Sequence, residues 1–97
     1  MATLTPDQVR AKLASLPGWE LGDTAISRTF KFGDFSEAVA FVVRLGFAAE
    51  AADHHPDIDI RYKRVMLTYS THSEGGLTEK DFAGAESATK LAGSAGH

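Results

Sequence analysis

The sequence predicts an α+β fold: a single domain with a four-stranded antiparallel sheet and three helices on one face, in the order α-β-β-α-β-β-α. At 97 residues the chain is too short for two independent cores. Three helix-start signals divide the chain, and two pairs of alternating segments lie between them. Segments joined by short turns pair antiparallel, and helices then cover one face of their sheet. We expect residues 1–97 to form this domain, with a frayed tail over 93–97.

Each predicted helix begins at a polar residue whose partner, three positions later, helps to satisfy the free backbone N–H groups. The pairs are Thr5 with Gln8, Asp34 with Glu37, and Thr78 with Asp81. Pro6 suits the first position of the first helix, where no donor is needed. The helices are expected to end near Ser15, His54 and Leu91, the second because Pro56 disfavours helical geometry at the residue before it.

The four predicted strands are marked by alternation of apolar and polar residues. The first hairpin pairs Trp19–Leu21 with Ala25–Phe30 across a turn at Gly22 and Asp23. The second hairpin turns near Lys63. Its two strands carry apolar residues at every second position, namely Ile58, Ile60 and Tyr62, then Val65, Leu67 and Tyr69.

Composition excludes several classes of function. Ten Lys and Arg against thirteen Asp and Glu give a formal charge of -3, which provides no field for binding nucleic acid. The absence of cysteine excludes disulfides, thiolate metal sites and a cysteine nucleophile. The longest apolar stretch, Ala38 to Ala49, is interrupted by Arg44 and is too short to cross a bilayer, so no membrane partner is expected. The expected compartment is the cytoplasm.

The middle helix, expected over 35–54, is more apolar than one core-facing stripe requires. One apolar face carries Val39, Val42, Val43, Gly46 and Phe47, and another carries Phe41, Leu45 and Ala48. A wide core stripe in a monomer is one interpretation. The other is that one face covers the core while the second pairs with another subunit, because monomers rarely expose such a patch. We expect a homodimer or homotetramer through this helix, and the sheet edges can pair as well.

The candidate chemistry lies in His54, His55 and His72, because imidazole exchanges protons near neutral pH. On a helix, Glu50 and His54 share a face while His55 points about 100° away, so Glu50 cannot orient both. A solvated pair of histidines at a helix end is the purely structural interpretation. A metal site made by His54, His72 and Asp81 is a further alternative, although no ligand motif of fixed spacing supports it.

Four stretches, taken with their spacing, resemble the signature of the pterin-4a-carbinolamine dehydratases. They are EAADHHP from Glu50 to Pro56, Tyr62 six residues after that proline, STH at Ser70 to His72, and GGLTEKD from Gly75 to Asp81. The segments Pro17–Trp19 and Phe30–Phe35 look like the same family, so the resemblance covers the chain from about Pro17 to Leu91. Lys63 departs from the pattern, since many relatives have asparagine there.

The resemblance implies the same α+β fold and a dehydration. The substrate is a 4a-hydroxytetrahydropterin, the carbinolamine released by aromatic amino-acid hydroxylases, and the products are a quinonoid dihydropterin and water. This step belongs to tetrahydrobiopterin recycling and requires no metal or organic cofactor. The resemblance makes His54 and His72 the acid and base, in an order left open, and His55 an assisting or binding residue. The implied substrate-binding residues are Glu50, Asp53, Pro56, Ser70, Thr71, Ser73 and Asp81.

Two alternatives stay open within the resemblance. Glu50 and Asp81 would orient the histidines or hold the pterin ring, while Asp81 could also serve only to complement the dipole of the last helix. In addition, members of the family act as binding modules, stabilising the dimer of a homeodomain transcription factor in animals or assisting Rubisco assembly. A binding module has no need of the histidines, so the complete histidine set favours the enzyme. The family's dimers and tetramers agree with the assembly expected from the middle helix.

Overall fold

A computed structural model describes residues 3–93 and confirms the predicted order of elements. These are α1 (Pro6–Ala14), β1 (Glu20–Leu21), β2 (Ile26–Lys31), α2 (Phe35–Ala52), β3 (Asp57–Arg61), β4 (Arg64–Tyr69) and α3 (Glu79–Ala92). A short 3-10 turn over His72–Glu74 was not predicted. Gly93 follows α3 as its C-cap, and the remainder of the expected tail, 94–97, lies outside the described residues.

The three predicted helix starts are confirmed. Thr5 and Thr78 each form a reciprocal capping box, with Gln8 and Asp81 respectively. Asp34 accepts the backbone N–H of Glu37 at 2.8 Å. None of the helices within residues 3–93 is long and apolar enough to cross a membrane.

The four strands form one antiparallel sheet in the order β1-β2-β4-β3. At one end of this sheet, Ile26 of β2 lies opposite Tyr69, the last residue of β4. Asp57, the first residue of β3, lies opposite Thr68 on the other side of β4. The chain therefore enters β3 where it leaves β4, and residues just before β3 come close to residues just after β4.

The core lies between the helices and one face of the sheet. The sheet contributes alternate residues of its two central strands: Ile26, Phe30, Val65, Leu67 and Tyr69. All three helices contribute to the same cluster, with Val9 from α1, Phe41 from α2 and Phe82 from α3. The opposite sheet face is open, as the exposed side chain of Met66 illustrates. The helices therefore cover one face only, as predicted.

Two predicted boundaries are wrong, each because a non-glycine residue adopts a left-handed backbone. Asp53 has a φ of 52° and ends α2 at Ala52, two residues before the expected end at His54. Tyr62 has a φ of 55° and lies in the two-residue turn with Lys63, outside β3. The alternation that predicted the strand continues into the turn, so periodicity alone could not place its end.

The two apolar faces of α2 have different surroundings. Phe41 and Leu45 are buried in the core. Val39, Val43 and Phe47 are exposed, and Phe47 keeps 76% of its surface accessible. The face that contains Phe41 and Leu45 therefore covers the sheet. The other face is left uncovered in the subunit except at Val42, which is half-buried and packs against the core.

Two neighbouring residues of β4 test the assignment of the sheet faces. We expect Leu67→Ala to lower the free energy of unfolding by about 2 to 5 kcal/mol, because removal of a fully buried side chain leaves a cavity. Met66→Ala, on the open face, is the matched control and is expected to cost less than about 1 kcal/mol. Urea unfolding followed by circular dichroism measures both. Similar losses in the two variants would contradict the assignment.

Candidate active site

Two loops at one end of the sheet carry the three candidate histidines. His54 and His55 lie between α2 and β3, and His72 begins the 3-10 turn between β4 and α3. The register of β3 and β4 brings these two loops together. Residues separated by about twenty positions in the sequence therefore meet at one end of the fold.

The left-handed turn at Asp53 decides which histidine Glu50 meets. After this turn His54 is no longer helical, although its backbone N–H still reaches the carbonyl of Ala49 at 3.2 Å. The expectation that Glu50 and His54 share one face of the helix is therefore wrong. Oε1 of Glu50 lies 2.7 Å from Nε2 of His55 instead, and both side chains are exposed. An exposed pair of this kind contributes little to stability.

His54 is paired with a residue of α3. Its Nε2 lies 2.6 Å from Oδ1 of Asp81, whose side chain is completely buried, while 13% of the His54 side chain is exposed. The imidazole also stacks on the ring of Tyr69, with ring centres 6.0 Å apart and planes inclined by 24°. A buried acid on one edge and an aromatic ring on one face hold this histidine in place.

Two threonines complete the surroundings of Asp81. Its Oδ2 accepts the Thr71 hydroxyl at 2.8 Å and the Thr78 backbone N–H at 3.0 Å. The two threonine hydroxyls are themselves 2.8 Å apart. Hydrogen bonds thus replace the water that the buried carboxylate has lost, which is the condition for keeping a charge in the interior.

His72 has a different environment. Its Nε2 lies 3.2 Å from the Ser70 hydroxyl, and its side chain is exposed. The turn that it begins closes at Gly75, whose φ of 72° favours glycine. No group of three or more histidine, aspartate or glutamate side chains in the described part of the chain is arranged to hold a metal ion. The alternative metal site, which required His72 beside His54 and Asp81, is therefore wrong.

The remaining predicted binding residues lie around the same two loops. Asp53 and Ser73 are exposed, Pro56 and Ser70 are half-buried, and Thr71 is buried. The structure brings this set to one end of the sheet. Contact of these residues with a substrate stays a prediction.

A pocket of about 250 Å³ opens beside His54 between α2 and α3. Its walls are formed by Leu45, Ala48, Ala49, Ala52, His54, Tyr69, Lys80, Ala83, Gly84 and Ser87. No described residue hydrogen-bonds the Tyr69 hydroxyl, whereas every buried polar side-chain atom of residues 3–93 has a partner. The Tyr69 hydroxyl is therefore not sealed in the core, and Tyr69 forms part of the pocket wall.

Comparison with known proteins identifies the family. The family described as pterin 4 alpha carbinolamine dehydratase matches residues 2–91 of the chain. The chain belongs to this family. A Chloroflexus aurantiacus relative, provisionally named pterin-4-alpha-carbinolamine dehydratase, is 50% identical over 93 residues, which are 96% of this chain and 100% of the relative. A relative of the same name from Acidobacterium capsulatum is 54% identical over 82 residues, 84% of this chain and 89% of the relative.

Solved structures of this dehydratase family confirm the fold. A transcriptional coactivator/pterin dehydratase from Brucella melitensis superposes with a TM-score of 0.90 at 42% identity, covering 94% of this chain and 99% of that one. A pterin dehydratase-like protein, identified as a RuBisCO assembly factor in the alpha-carboxysome, has a TM-score of 0.69 at 28% identity and covers 79% and 92%. These names include a coactivator and an assembly factor as well as a dehydratase, so membership of the family does not by itself decide the chemistry.

Three residues that the structure places at the candidate site are not predicted there by the sequence. The sequence predicts Tyr69 only as an apolar-face residue of an alternating strand, Thr78 only as a helix cap within the GGLTEKD stretch, and Gly84 not at all. A tyrosine on the core side of a strand has a hydroxyl that needs a hydrogen-bond partner or access to solvent. This need was the one signal in the sequence that pointed to Tyr69. The role of Gly84 depends on Tyr69, because a Cβ at position 84 would lie 2.4 Å from the ring.

The buried phenol of Tyr69 makes stability depend on alkaline pH. Burial, and to a smaller extent the negative charge of Asp81, raises the pKa of Tyr69 to about 12 from 10.0. A raised pKa means that folding favours the protonated phenol, so its stabilisation is complete below pH 10 and is lost as the pH rises to 12. Over that interval we expect the protein to lose about 2 to 3 kcal/mol more unfolding free energy than Tyr69→Phe does. Urea unfolding at each pH measures the difference, and parallel pH curves would contradict the expectation.

Proposed function

We propose that this protein dehydrates a 4a-hydroxytetrahydropterin to a quinonoid dihydropterin by histidine acid-base catalysis, in tetrahydrobiopterin recycling. The observation that carries the proposal is the 2.6 Å contact between His54 and the buried Asp81. A buried carboxylate that holds one edge of an imidazole is a recurrent way to orient a proton-transferring histidine. His55 and His72 lie on the same two loops and supply further groups able to move protons.

The reaction needs only proton transfers at two atoms. The hydroxyl on C4a leaves as water after it receives a proton, and N5 loses its proton as the C4a–N5 double bond forms. Positioned groups that titrate near neutral pH can perform both transfers. Family membership supports this substrate class, and the contact between His54 and Asp81 supports the acid-base chemistry.

The second candidate is a non-catalytic binding module on the same fold. One observation favours it: α2 exposes an apolar stripe, defined by Phe35, Val39, Val43 and Phe47, that a partner could cover. A scaffold has no need of a histidine bonded to a buried acid, however. Histidine substitutions therefore distinguish the two candidates.

A stopped-flow assay of carbinolamine dehydration tests the enzyme directly. We expect the protein to accelerate the reaction over buffer, and His54→Ala and His72→Ala each to lower the rate by about 10²-fold or more, the scale of one general acid or base. Lys31→Ala is the control. Lys31 lies opposite Arg64 in the sheet, at the end of β4 away from the site, and its side chain is exposed. This variant is expected to keep the wild-type rate.

Two results of that assay would contradict the dehydratase. One is a wild-type rate equal to that in buffer. The other is full activity in both histidine variants while circular dichroism shows that they are folded. The assay is run with and without a chelator, and an activity that the chelator abolishes and zinc restores would show that histidine alone does not perform the proton transfers.

We further propose that the apolar stripe of α2 pairs with a second copy of the chain, in a dimer or a tetramer. Phe35, Val39, Val43 and Phe47 follow one another at intervals of four, so they line up along the helix. A continuous apolar surface of this kind marks an interaction site on a soluble protein. The edge strand β3 offers a second surface for pairing.

The α2 stripe gives a direct test of assembly. We expect Val43→Glu to lower the molar mass measured by light scattering at micromolar concentration, because a buried charge between two copies is unfavourable. Thr29→Glu adds the same charge to an exposed position of the open sheet face and is the control. A monomeric wild-type protein, or an unchanged mass in Val43→Glu, would contradict the proposal.

A further inference from the structure

The protons around Asp81 can be assigned from hydrogen-bonding rules. A threonine hydroxyl has one proton to donate, and the Thr71 hydroxyl donates it to Oδ2 of Asp81. The Thr78 hydroxyl must then donate to Thr71 across their 2.8 Å contact, and it accepts the Lys80 backbone N–H at 3.3 Å. In this series of hydrogen bonds from Lys80 through the two threonines, every donated proton points toward the carboxylate of Asp81.

Oδ2 of Asp81 is therefore an acceptor, as it is in an ionised carboxylate. Its Oδ2 already accepts a backbone N–H from Thr78, which can only donate, and its position in the first turn of α3 favours a negative charge. An ionised Asp81 can only accept at Oδ1 as well, and the 2.6 Å bond to His54 then places the proton on Nε2 of the imidazole.

The other ring nitrogen of His54 is open. No residue within 3–93 hydrogen-bonds Nδ1, and buried polar side-chain atoms in this range all have partners, so Nδ1 reaches solvent. A neutral imidazole with its proton on Nε2 has its free electron pair on Nδ1. The atom that is open to a substrate is thus also the basic one.

Tyr69 and Gly84 hold the plane of the same ring. The phenol ring stacks on His54 at 6.0 Å, and it occupies the space that a side chain at position 84 would need, with Cε1 of Tyr69 only 2.4 Å from a Cβ built there. Glycine at 84 thereby lets Tyr69 lie under the imidazole. Neither residue belongs to the signature that predicted the site.

We propose that His54 exchanges its catalytic proton through Nδ1, and that Asp81, Tyr69 and Gly84 are positioning residues that fix its tautomer and its plane. The proton that His54 gives or takes passes between Nδ1 and the substrate. The Nε2–H bond to Asp81 stays intact, and Asp81 stays ionised. The chemical role rests on the proposed dehydratase function, whereas the tautomer is a property of the free protein.

Nitrogen-15 NMR of the imidazole side chains tests the assignment without substrate. Two-bond proton–nitrogen correlations distinguish a protonated ring nitrogen from one with a free electron pair. We expect neutral His54 in the wild-type protein to have its proton on Nε2. A proton on Nδ1, or two tautomers in similar amounts, would overturn the proposal.

Asp81→Asn should reverse the tautomer. The asparagine oxygen must face the Thr71 and Thr78 donors, so its NH₂ group faces His54 and donates to Nε2. We expect His54 then to carry its proton on Nδ1, and the dehydration rate to fall by about 10²-fold or more, as for a catalytic histidine held in the wrong tautomer. An unchanged tautomer in folded Asp81→Asn would overturn the proposal.

Tyr69 variants test the second positioning contact. Tyr69→Leu removes the stacked ring, and we expect its His54 resonances to broaden or to show both tautomers. Tyr69→Phe keeps the ring and should restore the single Nε2–H form. Identical His54 spectra in the wild type and in Tyr69→Leu would overturn the role of Tyr69. The expected tautomers without any dehydratase activity would contradict the proposed function alone.

Discussion

The rest of the candidate site depends on one buried charge, the carboxylate of Asp81. A charge without water must be satisfied by hydrogen bonds, and here the donors come from two separate loops of the chain. Thr71 and Thr78 lie at the two ends of the loop between β4 and α3, and His54 lies in the loop between α2 and β3. Satisfying the carboxylate therefore joins these two loops at one end of the sheet. The same bonds that keep this carboxylate in the interior also hold the histidine in position.

The backbone near the carboxylate adopts conformations that regular elements do not provide. Asp53 turns left-handed, which ends α2 and releases His54 from the helix so that it can reach α3. Gly75 turns left-handed at the end of the His72 turn, and Gly84 leaves room for the Tyr69 ring. Local departures of this kind cost free energy and persist where the surrounding contacts compensate for them. Here they deliver side chains to one place.

α2 joins the site to the rest of the subunit. Phe41 and Leu45 anchor its inner face on the sheet, so the C-terminal end of the helix and the loop that follows are held against β4. The outer stripe around Val43 and Phe47 is exposed in the subunit. α2 thus has two different faces. Its inner face contacts the core and positions the histidine loop, and its outer face presents an apolar surface that points away from the core.

The sequence by itself determined the order of elements, the starts of the helices and the alternation of the strands, because these follow from contacts a few residues apart. It also brought the three histidines to notice, through their spacing and a family resemblance. Only the tertiary structure decided that His54 pairs with Asp81 and not with Glu50, which bonds His55, and that Tyr69 and Gly84 belong to the site. Helical periodicity placed Glu50 beside His54, and a single left-handed residue at Asp53 removed that relation. Partners 27 positions apart have no local signature, because their contact exists only once the sheet has brought the two loops together.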